Sequence, residues 1–149
     1  MSKPICGLLV FMFTLALFGQ KNYPKDVFRS PLDIPLILSG TFGELRSNHF
    51  HAGIDIKTRG RQGLPIHAIA DGTVTRIKVS LWGYGKALYV AHPNGYTSVY
   101  AHLQKFSPKI EAYIRNLQYK RQSYEMQTFP EYGELKVNKG DIIAYSGNT

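Results

Sequence analysis

ALYVAHPNGYTSVYAHL, residues 87–103, decides the fold class. On either side of a proline-asparagine-glycine corner the chain is rich in valine, tyrosine and threonine, side chains that suit a pleated, half-buried surface. Asn94-Gly95 is a turn pair whose glycine accepts positive φ, so it closes a hairpin with twist matched to its strands. Taking Asn94 and Gly95 as the loop sets Pro93 opposite Tyr96, His92 opposite Thr97 and His102 opposite Ala87. Side chains alternate across a strand, which groups Ser98, Tyr100 and His102 on one face and Val99, Ala101 and Leu103 on the other. His102 then projects from the more polar face.

The same texture extends outward in both directions. Leu36 to Ser39, Thr73 to Val79, Leu135 to Val137 and Ile142 to Tyr145 read as short strands. Asp71-Gly72 is expected to close a second hairpin, and Asn138 to Gly140 forms a further turn. One helix interrupts the pattern near residues 107–122. Ser107 suits its cap and Pro108 its first position, and Ile110, Tyr113, Ile114 and Leu117 recur at helical spacing. Lys109, Arg115, Lys120 and Arg121 make its other face a solvated basic surface. Ala70-Asp71-Gly72-Thr73-Val74 and Lys139-Gly140-Asp141-Ile142-Ile143 echo one another as glycine turns launching strands, over too short a span to establish duplication. The fold class is therefore mainly β, with antiparallel sheets, hairpins and one inserted helix.

Residues 20–35 are polar and carry Pro24, Pro31 and Pro35, which keep a lead-in segment extended. Before them, Lys3 precedes an apolar run from Ile5 to Phe18 that ends at Gly19 and Gln20, the layout of a signal peptide over residues 1–19. That run is shorter than the roughly 20 apolar residues of a spanning helix, so no stable membrane span is expected after cleavage. The single cysteine, Cys6, lies within the run. The exported part then has neither disulfide nor thiolate, leaving an apolar core or a metal held by N and O ligands to stabilise it. With 149 residues, 44% of them hydrophobic, the chain fits one globular domain. Its net charge of +8 calls for an anionic partner. Export weighs against nucleic acid and towards a carboxylate-bearing wall polymer or an anionic membrane face.

Five histidines are the candidates for chemistry: His49, His51, His67, His92 and His102. His49 and His51 sit in Asn48-His49-Phe50-His51-Ala52-Gly53-Ile54-Asp55-Ile56, the densest cluster of metal-ligand types. On a regular strand His51 and Asp55 point the same way about 13 Å apart, too far for one ion. Gly53 is where a bend brings them together at least cost. A bent pair can bind metal or simply hydrogen-bond, and His49 and His51 can also pair on one strand face. His67, inside an apolar strand, reads as a structural histidine and His92, beside the turn, as exposed. His102 reads as structural, or as a base or transition-state donor.

The motifs His51-Ala52-Gly53-Ile54-Asp55-Ile56, Pro65 to Val74, Tyr100-Ala101-His102-Leu103 and Lys139 to Thr149 resemble, in order, the lysostaphin/LytM-type zinc metallopeptidases, which cleave peptide cross-links of peptidoglycan. The resemblance implies a LytM-like fold (duplicated hybrid motif) over residues 36–149. It also implies Zn2+ bound by His51 and Asp55, and His102 as a catalytic histidine; His49, His67 and His92 match no ligand position. The family closes with a His-x-His pair that supplies a third ligand, whereas here no histidine follows His102. The expectation is an exported peptidoglycan endopeptidase of the periplasm or cell envelope, present as a catalytic domain without its final His-x-His strand and inactive as given. The alternatives are a non-catalytic wall-binding protein or activator of another wall hydrolase, and a local metal site built from His49, His51, Asp55 and His102.

Overall fold

The structure, a computed structural model, describes residues 25–147. The expected signal segment, with Cys6, and the last two residues lie outside them. Chain order is β1 (Leu38–Gly40), β2 (Asp55–Ile56), β3 (Pro65–His67), β4 (Gly72–Val79), β5 (Lys86–Ala91), β6 (Thr97–Phe106), α1 (Pro108–Arg121), β7 (Met126–Thr128), β8 (Lys136–Val137) and β9 (Ile142–Ser146). β1 and β2 pair by themselves, and a larger sheet runs β3-β9-β6-β5-β4-β7 with β8 also on β4. Among the described residues every strand pairing is antiparallel and there is a single helix, so the mainly β architecture is as expected. Among the described residues no helix is long and apolar enough to cross a membrane.

β5 and β6 form the hairpin, one residue out of the expected register. Ala91 pairs with Thr97 and Leu88 with Tyr100. Gly95, at φ 84°, donates its N–H to the His92 carbonyl at 3.0 Å, and the His92 N–H reaches Tyr96 O at 2.8 Å. Pro93 joins Asn94 and Gly95 in a three-residue loop, a geometry in which a left-handed glycine follows the turn and shifts the pairing by one. Further along, Lys86 pairs with Leu103. Ala101 and His102 therefore share the single partner Ala87, a bulge in which His102 takes φ 55°. The bulge restores the expected His102–Ala87 pairing and reverses the alternation. Tyr100 and Leu103 are buried, whereas Val99 and His102 are exposed, so Tyr100 does not share the polar face with His102.

Asp71-Gly72 closes no hairpin, because β3 pairs with β9 and β4 with β5, β7 and β8. Gly72 is required for closeness instead: a Cβ there would lie 2.5 Å from the Ala91 carbonyl oxygen. His92 is buried, not exposed, at 6% accessibility. Its Nδ1 meets the Asp71 carbonyl and its Nε2 the Ser98 hydroxyl, each at 2.8 Å, so the ring ties the start of β4 to the hairpin. Only the loop beyond it faces solvent.

The core fills the sheet's inner face with Val74, Ile77, Leu88, Val90, Phe106 and Ile143, each side chain contributing about 1.5–3 kcal/mol on burial. Ile110 and Ile114 bury the inner stripe of α1, with Tyr113 and Leu117 against the same core. Ser107 stands at the N-cap, but its side chain makes no capping bond. Its N–H is bound to Ile143 O at 2.8 Å, and Glu111 takes the Phe106 N–H at 3.0 Å. Lys109, Arg115, Lys120 and Arg121 are exposed. Leu32 of the lead-in is also in the core, and the neighbouring Pro31 carbonyl accepts the His67 N–H at 2.8 Å along the outer edge of β3.

Gly72→Ala should lower stability by about 1–3 kcal/mol in urea unfolding, since the methyl meets backbone that has nowhere to move. At exposed His102, replacement by glycine should leave the protein about 1 kcal/mol more stable than replacement by alanine, because only the latter keeps a Cβ at positive φ.

Candidate metal centre

Between β1 and β2 the chain doubles back on itself. Gly43 N–H bonds to His51 O at 2.8 Å, His51 N–H to Glu44 O at 2.8 Å and Arg46 N–H to His49 O at 2.9 Å, with Leu45 bridged to Phe50. His51 is thus fixed on one arm of this small ladder. The backbone then bends at Gly53 and enters β2, where Asp55 pairs with Gly40. The bend brings His51 Nε2 to 3.3 Å from Asp55 Oδ1. The opposite position is glycine, and a Cβ at Gly40 would displace the side-chain ends of both Asp55 and Arg46.

The His51 ring meets a different partner at each nitrogen. Nδ1 lies 3.0 Å from the Thr41 carbonyl oxygen, which only accepts, so Nδ1 carries the hydrogen. Arg46 Nη2 lies 3.5 Å from the same nitrogen. Nε2 faces a carboxylate oxygen 3.3 Å away, beyond the roughly 2.7–2.9 Å of a charge-assisted hydrogen bond. Bonds of about 2.0–2.1 Å in tetrahedral geometry put two zinc ligands roughly 3.3–3.4 Å apart, so the pair fits two positions of one such ion. A histidine ligand held through its other nitrogen by a carbonyl is also the usual outer support of a metal site. Asp55 Oδ2, on the far side of the carboxylate, accepts from Arg46 Nη2 at 2.8 Å.

The remaining sequence candidates stand apart. Among the described residues no three His, Cys, Asp or Glu side chains converge, so the local site of His49, His51, Asp55 and His102 is not assembled. His49 is exposed, with Nδ1 against its neighbour Asn48. His67 is structural as expected, with Nδ1 at 2.8 Å from Gly140 O and Nε2 at 3.0 Å from Asp33 Oδ2. His102 presents an exposed ring from the β6 bulge. Its N–H is held by Tyr84 O at 3.0 Å, and the Tyr84 ring meets its imidazole edge-on at 6.1 Å between centroids. Sequence reasoning missed Thr41, Glu44, Arg46 and Tyr84. The proximity of Arg46 to His51 in the chain was the one available hint, and a backbone carbonyl such as that of Thr41 leaves no residue-type signal.

Residues 49–119, which include both members of the pair and His102, match the family described as Peptidase family M23. The chain is 43% identical over 63 residues to a protein of Neisseria meningitidis serogroup B named DD-carboxypeptidase/endopeptidase Mpg, covering 42% of this chain and 14% of that protein. The same figures hold for its Neisseria gonorrhoeae counterpart. A Haemophilus influenzae protein described as an uncharacterized metalloprotease is 33% identical over 99 residues, 66% of this chain and 16% of that protein. The chain thus spans about a seventh of the length of the curated relatives it matches. The LytM-type motifs and the antiparallel β architecture agree with that match, so the chain resembles Peptidase family M23 over residues 49–119.

Proposed function

We propose that this chain forms part of an exported, zinc-dependent endopeptidase that cuts peptide cross-links of peptidoglycan in the periplasm or cell envelope. The observation that carries the reading is His51 Nε2 facing Asp55 Oδ1 at 3.3 Å, the spacing of two ligands on one tetrahedral ion, with Nδ1 against the Thr41 carbonyl. Bound there, zinc would lower the pKa of a water towards about 7 and polarise the scissile carbonyl. His51 and Asp55 are its ligands in this reading. His102 is the active-site histidine, whose exposed ring on the strained bulge is free to take or give a proton or to bind a developing oxyanion. The names of the Neisseria relatives support a peptidoglycan peptide as substrate. A net charge of +8 suits a carboxylate-bearing wall.

A third ligand completes the site in this proposal, carried on a strand beside β6. Among the described residues β9 covers β6 only over Leu103 to Phe106, and Thr97 to Tyr100 pair with β5 alone. The open edge beside His102 supports that placement. If it is never filled, the same surface reads as a wall-binding face or as an activator of another wall hydrolase.

Zinc stoichiometry and muropeptide release should be measured on residues 20–149 and on the same protein extended through the downstream reading frame. The extended protein should bind one zinc and digest peptidoglycan, with both lost in His51→Ala and retained in His49→Ala, while the shorter chain binds zinc weakly and digests little. Digestion by neither protein, with retention on the wall, would establish the non-catalytic alternative. Full activity of the shorter chain would remove the need for a third ligand.

A further inference from the structure

The face of the large sheet that carries His102 also carries a cation used neither by the core nor by the metal reading. On β4, Ile77 and Val79 point into the core, so Arg76 and Lys78, which alternate with them, point to the outer face. Arg76 pairs with Tyr89 of β5, and Tyr89 with Val99 of β6. Lys78 pairs with Ala87, which faces the bulge of Ala101 and His102. That bulge lies between the buried Tyr100 and Leu103, so His102 stands on the same outer face, in the row of Lys78 and one row from Arg76. β7 completes both rows. Its Thr128 is buried opposite Ile77, which leaves Gln127 and Phe129 facing out beside Lys78 and Arg76.

Arg76 is held between aromatic rings there. Its guanidinium carbon lies 4.6 Å from the centroid of the Tyr89 ring and 6.0 Å from that of Phe129, and Nη2 donates to Gln127 Oε1 at 2.6 Å. Nε is buried without an acceptor. Arg29, Arg46 and Arg115 each lie against an aspartate or glutamate, and Arg59, Arg61 and Arg121 are exposed to water. Arg76 alone, among the described residues, is a half-buried arginine with no carboxylate partner. The stacked lysines differ from it, since Lys86 has Glu111 at 4.0 Å and Lys105 is exposed. Glu125, earlier on the β7 side, is already engaged by the Leu81 N–H at 2.7 Å. Stacking keeps the guanidinium flat but supplies no anion. A preformed arginine fork without a counter-ion suits a carboxylate brought by a ligand.

We propose that Arg76, with Lys78 beside it, is a carboxylate-binding subsite for the peptide substrate. The inference rests on the peptidase reading above and deepens it by naming a group the substrate carries. Two strand spacings of about 4.8 Å and one same-face step of about 6.6 Å put Arg76 about 12 Å from His102, backbone to backbone. An extended peptide covers that span in about three or four residues. The carboxylate read by Arg76 is therefore remote from the bond at His102. The segment after α1 gains a role as well, because β7 delivers the Gln127 and Phe129 side chains that hold the guanidinium in place.

The test uses the 149-residue chain for binding and the chain extended through the downstream reading frame for turnover. The probes are a soluble wall tetrapeptide with its carboxylates free and the same peptide with every carboxylate amidated. In titration calorimetry wild type should bind the acid about 10-fold more tightly than the amide. Arg76→Gln should bind both alike, with unchanged circular dichroism, and Arg76→Lys should keep part of the preference. In the extended protein the same preference should appear in KM, with kcat little changed. Equal binding of acid and amide by wild type, a comparison that needs no variant, overturns the proposal, as does an undiminished preference in Arg76→Gln. Turnover indifferent to both Arg76 and amidation removes the subsite and leaves the peptidase reading standing. Arg76-dependent preference for the acid without any turnover upholds the subsite and removes the peptidase reading instead.

Discussion

A backbone carbonyl oxygen can accept a hydrogen bond and never donate one, and that constraint organises every well-held histidine in this chain. His51, His67 and His92 each place Nδ1 within 3.0 Å of a main-chain carbonyl, those of Thr41, Gly140 and Asp71. The carbonyl orients the ring, and what meets Nε2 decides what the ring joins. For His92 it is the Ser98 hydroxyl, and the result is a sealed structural bond. For His67 it is Asp33, whose other oxygen is held by Arg29 and which joins the lead-in to β3. For His51 it is Asp55, whose other oxygen is held by Arg46. One local device thus orients all three rings, and the sequence motif around His51 and Asp55 is what sets that pair apart as candidate ligands.

The sheet serves this arrangement by delivering its parts from separate elements. His51 comes from the ladder between β1 and β2, Asp55 from β2, and His102 from a bulge in the longest strand. The bulge places a non-glycine residue at positive φ. Strain of that kind is tolerated where neighbouring bonds over-determine the backbone, and His102 has such bonds on both sides, its N–H to Tyr84 O and its carbonyl from Gly147 N–H. The turn of the ring outward is therefore imposed by the fold.

Much of the architecture was legible because it depends on local patterns. The Pro93-Asn94-Gly95 corner marked the hairpin, and Pro108 with the Ile110–Leu117 spacing marked α1 nearly to its last residue. The register was less legible. A three-residue loop and a bulge each shift pairing by one, and neither leaves a distinctive residue except Gly95. Asp71-Gly72 has turn composition, yet its glycine answers a close approach by Ala91, a contact between separate strands. The burial of His92 followed from that same approach. At the site, the His51–Asp55 spacing and Gly53 foretold the bend, while Thr41, Glu44 and Arg46 act through a folded-back ladder that is not encoded in any periodicity.

β9 lies between β3 and β6, although it follows them by tens of residues in the chain. Leu64 N–H, just before β3, ends on the Ser146 hydroxyl across 82 positions of sequence. A strand inserted from so far away cannot be zipped up by neighbours, and pairings of high sequence separation slow folding towards the millisecond-to-second range. β3, and the lead-in strapped along it, have no sheet to join until residues 142–146 have arrived. In a chain emerging in order, the β3 edge of the sheet is therefore the last to close, and until then its backbone N–H and C=O groups are left to water.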